Sequence, residues 1–154
     1  MIVSDDPEAI RRLLQGSKTV AVVGASPKSD RDSHQIAKFL IDRGYDVIPV
    51  NPAAPEILGR KCFPDLRSIG RRIDIVNVFR SSEHVPPIAD EAVDIKAECL
   101  WLQSGIVHEA AAKIVKQRWP GKCSHVRGRR SWQSLPAVRL PRLEEVRCAS
   151  LTVI

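Results

Sequence analysis

TVAVVGASPKSDRDSHQIAKFL, residues 19–40, decides the fold of this chain. An apolar, mostly β-branched run, Val20-Ala21-Val22-Val23, stops at Gly24, and a small, polar loop follows. Ile36, Phe39 and Leu40 then fall at helical spacing, and Gly44 closes the segment. Strand, small-residue turn and helix, in that order, are how a doubly wound α/β domain builds a phosphate site. Backbone N–H groups and a helix N-terminus converge on an anion, and glycine at the strand end opens the main chain to it.

What the stretch lacks narrows the ligand. A dinucleotide fingerprint would place glycines where Ser26 and Ser29 stand, and this loop also carries Pro27. The fingerprint also wants an acid after the second strand to hold the ribose hydroxyls. That strand, Asp46–Val50, ends in Asn51-Pro52, and no carboxylate follows until Glu56. Helical periodicity resumes only near Ser33 or His34, so the loop is longer than an NAD turn.

Working outward, strands and helices alternate. Strands are expected at Thr19–Gly24, Asp46–Val50, Ile73–Phe79 and Glu98–Leu102, and helices at about 33–43, within 82–96 and at about 107–118. A short helix should begin after Ser4. A short strand near 61–63 and a helical turn at 65–69 fall in the turn-rich stretch after Asn51. This pattern predicts an α/β fold with a mainly parallel sheet and helices on both faces. It breaks at Trp119. Lys122–Val126, KCSHV, is a weak strand signal, and the expected division is a domain at 1–118 with an irregular tail at 119–154.

The chain has 154 residues, 44% hydrophobic and 27% charged, which suits one globular domain. Its net charge of +6 is unevenly spread. Residues 1–118 carry 17 basic and 16 acidic side chains, and residues 119–154 carry 7 and 2. No run is long enough to span a bilayer, and MIVSDDPEAIRRLL is acidic where a signal peptide is basic. A cytoplasmic protein without membrane attachment is expected. Cys62, Cys99, Cys123 and Cys148 form no C-x-x-C pair, so no metal site is expected.

Ligands on such a sheet bind beyond the carboxyl ends of its strands. The residues there are Gly24-Ala25-Ser26-Pro27, Asn51-Pro52, Phe79-Arg80 with Ser81 and Ser82, and Gln103-Ser104-Gly105. They supply hydroxyls, amides, N–H groups, one aromatic face and one guanidinium. They include no His, Cys, Asp or Glu as nucleophile or general base, so a site that binds without reacting is expected. Each has a bland alternative: Asn51-Pro52 as a turn, Phe79 as a core residue, Ser81 and Ser82 as caps, Arg80 as a solvated charge.

Six ordered motifs carry a family resemblance: VAVVGAS, DRDS, GYDVIPVNP, EILGRKCFPDL, IDIVNVFRSSEHVPPIADEA and LWLQSGI. From about Val20 to about Lys116 the chain resembles the small stand-alone CoA-binding proteins, which are similar to the CoA-binding domain of succinyl-CoA synthetase α subunits. The resemblance implies a Rossmann-like, doubly wound fold that holds coenzyme A or an acyl-CoA by its ADP moiety, with no catalysis of its own. It implies Gly24, Ala25 and Ser26 at the diphosphate and Asn51 and Pro52 near the adenosine. Phe79 and Arg80 would line the groove, with Gln103, Ser104 and Gly105 near the diphosphate or pantetheine. The synthetase's phosphohistidine chemistry belongs to a domain this chain lacks. Family members usually continue into another apolar strand, where this chain reads GKCSHVRGRRSW.

Two other functions compete. An NAD(P)-dependent oxidoreductase is disfavoured by Ser26, Ser29 and Asn51. Nucleic-acid binding would use Arg127, Arg129, Arg130, Arg139 and Arg142 with Trp119 and Trp132, although basic runs are usually solvated. Protein partners are not legible. If phosphates approach the backbone at Gly24, then Gly24→Val should cost binding and leave the fold nearly intact, and Arg80→Ala should cost less.

Overall fold

The structure, a computed structural model, describes residues 7–102, 113–114, 117–118 and 123–127. Its elements run α1 (Pro7–Gly16), β1 (Thr19–Val23), α2 (Asp32–Asp42), β2 (Asp46–Val50), β3 (Glu56–Ile57), β4 (Arg60–Lys61), β5 (Ile75–Val78), α3 (Val85–Asp94), β6 (Cys99–Leu102) and β7 (Cys123–Arg127). Single 3₁₀ turns lie at Arg67–Ile69 and Ser82–His84. No helix among the described residues is long and apolar enough to cross a membrane.

The strands β1, β2, β5 and β6 are largely apolar because the sheet is covered on both sides, Asn77 of β5 being the buried polar exception. Successive residues alternate between two cores. Val20, Val22, Val47, Ile75, Cys99 and Trp101 pack with Leu14 of α1 and with Ile36, Ala37 and Leu40 of α2. Ala21, Val23, Ile48, Val76, Val78, Leu100 and Leu102 pack on the opposite face with Val85, Ile88, Ala89 and Ala92 of α3. The expected Rossmann-like α/β fold with helices on both faces is therefore observed.

The main sheet has the order β2-β1-β5-β6-β7, and every pair in it is parallel. Outside β2, Phe63 forms a lone parallel bridge with Val50: Phe63 N–H donates to Pro49 (3.1 Å) and Asn51 N–H to Phe63 (2.9 Å). This is the position of the third strand in a dinucleotide-type sheet, here reduced to one residue. The short strand expected near 61–63 is thus split between this bridge and β4, which pairs antiparallel with β3.

Leaving β1, the chain builds β2 on one side and then crosses back to place β5 on the other. The strand order reverses between β1 and β5, so a crevice opens beyond their carboxyl ends. At the opposite ends, the buried Asp74 carboxylate accepts the N–H groups of Lys18 (2.8 Å) and Thr19 (3.1 Å), tying the start of β1 to the start of β5.

Where the sequence carries only the weak strand signal at Lys122–Val126, Cys123–Arg127 adds a strand to the sheet beside β6, so the sheet extends past residue 118. A preformed neighbouring strand supplies backbone partners, and so a segment with a weak apolar pattern can still pair. The helix expected at 107–118 and the rest of the tail lie outside the described residues, apart from the four positions given above.

Candidate functional site

The site grows from the end of β1. Gly24 has φ +81°, and its N–H donates to Val50 of β2 (3.0 Å) while Phe79 N–H donates to Val23 (2.8 Å). Gly24 is therefore clamped between two strands. A Cβ at this position would lie 2.7 Å from the Phe79 carbonyl oxygen and 3.0 Å from Arg80 Cδ. This corrects the premise that only a ligand needs the space: the neighbouring backbone already occupies it, so the glycine is required by the fold first.

Beyond Gly24 the loop passes under two side-chain donors. Asn51 at the end of β2 donates from Nδ2 to the Ala25 carbonyl (2.7 Å), and its Oδ1 accepts from Ala53 N–H (2.8 Å). His34, in the first turn of α2, places Nδ1 2.9 Å from the Ser26 carbonyl. A carbonyl can only accept, so Nδ1 carries the proton. Ser26 Oγ accepts from Lys28 N–H (3.2 Å). Among the described residues, the N–H groups of Ala25 and Ser26 make no hydrogen bond. The first N–H groups of α2, at Asp32 and Ser33, have no acceptor within the helix.

Two hollows flank this loop. A cleft of about 300 Å³ on the α3 side is lined by Gly24, Ser26, Asn51, Arg80, His84 and Glu91 among others. A second, of about 390 Å³ on the α2 side, is lined by Gly24, Ser26, Lys28, Arg31, Ser33 and Phe79 with Asp32. Arg60, Arg67, Arg71 and Arg72 are each paired with a carboxylate. Among the described residues the side chains of Lys28, Arg31 and Arg80 have no such partner. Exposed, unneutralised cations beside open N–H groups give this loop a positive surface, the kind of environment that favours anions.

The predicted residues divide. Gly24, Ser26, Asn51, Pro52 and Arg80 line the α3-side cleft, and Phe79, half-buried, lines the α2-side hollow. Pro27 is exposed on the loop. Ala25 also borders the cleft, but it is fully buried among α2-side core residues, so it can offer a ligand only its backbone. Gln103, Ser104 and Gly105 lie outside the described residues.

The strand ends are also less inert than their local sequence implied. Asp65, His84 and Glu91 stand in the cleft wall, each from a segment distant in sequence from Gly24. All three are engaged locally. Asp65 accepts the Ser68 hydroxyl and N–H (both 2.7 Å), which hold its carboxyl below the usual range. Glu91 accepts Leu66 N–H (3.1 Å), and His84 Nδ1 lies 2.8 Å from Ser81 Oγ. Sequence reasoning missed these three as site-wall residues, and it missed His34, Lys28 and Arg31. The DRDS motif and the histidine after it were the available signal for Arg31 and His34.

A family model described as "CoA binding domain" matches residues 18–130. The chain belongs to the CoA binding domain family. The uncharacterized protein YneT of Bacillus subtilis is 46% identical over 109 residues, covering 71% of this chain and 81% of that protein. A hypothetical protein from Pyrococcus horikoshii OT3 of known structure is 35% identical with a TM-score of 0.74, covering 79% of this chain and 84% of that one. The ADP-forming acetate–CoA ligase I of Archaeoglobus fulgidus is 35% identical over 74 residues, which are 48% of this chain but only 11% of the ligase. The chain thus matches most of the length of two of these proteins and only a small part of a much longer ligase.

Proposed function

We propose that the chain binds coenzyme A or an acyl-CoA through its ADP moiety, at the carboxyl ends of β1, β2 and β5, and catalyses no reaction by itself. The observation that carries this is the Gly24–Ser26 loop, its Ala25 and Ser26 N–H groups open and Lys28, Arg31 and Arg80 around it without carboxylate partners among the described residues. Phosphate oxygens are the ligand this arrangement favours, and Arg80 suits them because its planar fork donates twice. An NAD reading fits less well. Asn51 stands at the end of β2 where a ribose-binding acid is wanted, and its amide is already spent on Ala25. The absence of catalysis is supported by Asp65 and Glu91 being occupied with backbone N–H groups.

Calorimetric titration with CoA, acetyl-CoA, NAD and NADP tests the proposal. CoA or its acyl form should bind at least about tenfold more tightly than either dinucleotide, a difference of about 1.4 kcal/mol. Tighter binding of NAD or NADP would overturn it.

A further inference from the structure

The polarity of the loop after β1 is set from outside the loop. A peptide segment presents both N–H donors and C=O acceptors, and a carbonyl facing a bound phosphate repels it. Here the two carbonyls that follow Gly24 are both occupied. Ala25 C=O takes the Asn51 amide at 2.7 Å, and Ser26 C=O takes the His34 imidazole at 2.9 Å. The donors come from different elements, Asn51 from the end of β2 and His34 from the first turn of α2. Each is partly buried, so its bond is shielded from competing water. The matching N–H groups of Ala25 and Ser26 remain unused among the described residues.

We propose that Asn51 and His34 are positioning residues that lock the Ala25 and Ser26 carbonyls away from the ligand, so that the loop presents its N–H side to phosphate. Neither side chain contacts the ligand in this role. Asn51 cannot be replaced by aspartate, although Oδ1 could still accept from Ala53. The carboxylate would set a negative oxygen against the Ala25 carbonyl and turn that peptide. His34 needs only a donor at the Nδ1 position, which the amide nitrogen of asparagine reproduces closely. The role rests on the binding site proposed above, and the test separates the two.

The experiment measures CoA affinity by calorimetry for the wild type, Asn51→Asp, His34→Ala and His34→Asn, with thermal melting of each. Amide NMR of Ala25 and Ser26 during titration with inorganic pyrophosphate is recorded alongside. The expected result is at least about tenfold weaker CoA binding for Asn51→Asp and His34→Ala, with recovery to within about threefold for His34→Asn. The two amides should shift with pyrophosphate in the wild type and in His34→Asn only. Wild-type affinity in both disruptive variants would overturn the positioning role. Losses that follow melting alone and are not rescued by His34→Asn would overturn it too, by showing a merely structural role. If the wild type binds no CoA but its amides still respond to pyrophosphate through His34 and Asn51, the CoA proposal fails and the clamp stands. Amides silent to both ligands in the wild type would remove both.

Discussion

Replacing Gly24 by alanine should damage the fold as much as the site, and the size of the effect follows from two separable costs. The first is conformational: at φ +81° an L side chain is strained, typically by about 1–3 kcal/mol. The second is steric. The new Cβ would stand 2.7 Å from the Phe79 carbonyl oxygen, a backbone atom next to the Phe79–Val23 hydrogen bond between β5 and β1. It cannot swing aside as a side chain can, so the strand must move, and overpacking of this kind costs about 1–3 kcal/mol more. Gly44 provides the control. Its φ is +88°, but nothing among the described residues lies within 4 Å of its would-be Cβ, so Gly44→Ala carries the first cost alone. Urea unfolding of both variants should show Gly24→Ala less stable than Gly44→Ala by at least about 1 kcal/mol. Its total loss should be about 2–6 kcal/mol. In a chain of this length each kcal/mol lowers the melting temperature by about 2–4 °C, so Gly24→Ala should melt at least about 4 °C below wild type. Equal stability of the two variants would refute the steric reasoning. A Gly24→Ala protein melting with the wild type would refute both parts.

Asp74→Ala should cost about 2–4 kcal/mol in urea unfolding, because two N–H groups at the start of β1 lose their acceptor, whereas Asp74→Asn keeps an oxygen there and should cost less. Arg80→Ala should leave the melting temperature nearly unchanged, since the side chain is exposed, but weaken CoA binding about tenfold at low salt and less at high salt, read by calorimetry at two ionic strengths. Tyr45 is the single tyrosine, its hydroxyl donates to the Leu14 carbonyl (3.0 Å), and burial pushes its phenol up to about 12 against a small opposing effect of Arg43. A pKa raised by folding means that the stabilisation is full below the ordinary value of 10.0 and is lost as pH rises through about 12. Phenolate absorbance should therefore appear only near pH 12 in the folded protein, and Tyr45→Phe should flatten the alkaline fall in stability.

Much of the framework was written in local pattern. A strand covered on both faces is apolar at most positions, so β1, β2, β5 and β6 stand out as short, largely apolar runs, with Asn77 of β5 the buried polar exception, and α2 and α3 as segments with one apolar stripe. Gly24 was legible because a strand-to-helix turn of this kind demands an open backbone. The motifs between Val20 and Ile106 carried the family resemblance that the match over residues 18–130 bears out.

What the sequence could not express was pairing across distance. A period-two pattern says that a residue faces one core or the other, but not which strand lies beside it. The reversal of order between β1 and β5, the one-residue bridge at Phe63 and the addition of β7 are choices among backbone partners. The same holds within the site. Ala25 reads as a loop residue beside Gly24, yet the packing of α2 buries it. Asn51 reads as a turn or a ligand contact, yet it spends its amide on a carbonyl 26 positions earlier. Asp65, His84 and Glu91 reach the cleft wall only because α3 and the 3₁₀ turns fold over the sheet end. By itself, then, the sequence determined most of the elements and the glycine turn after β1, since propensity, periodicity and glycine geometry are local. Only the tertiary structure decided the strand order and which side chains converge on that turn, since those contacts join groups the chain holds far apart.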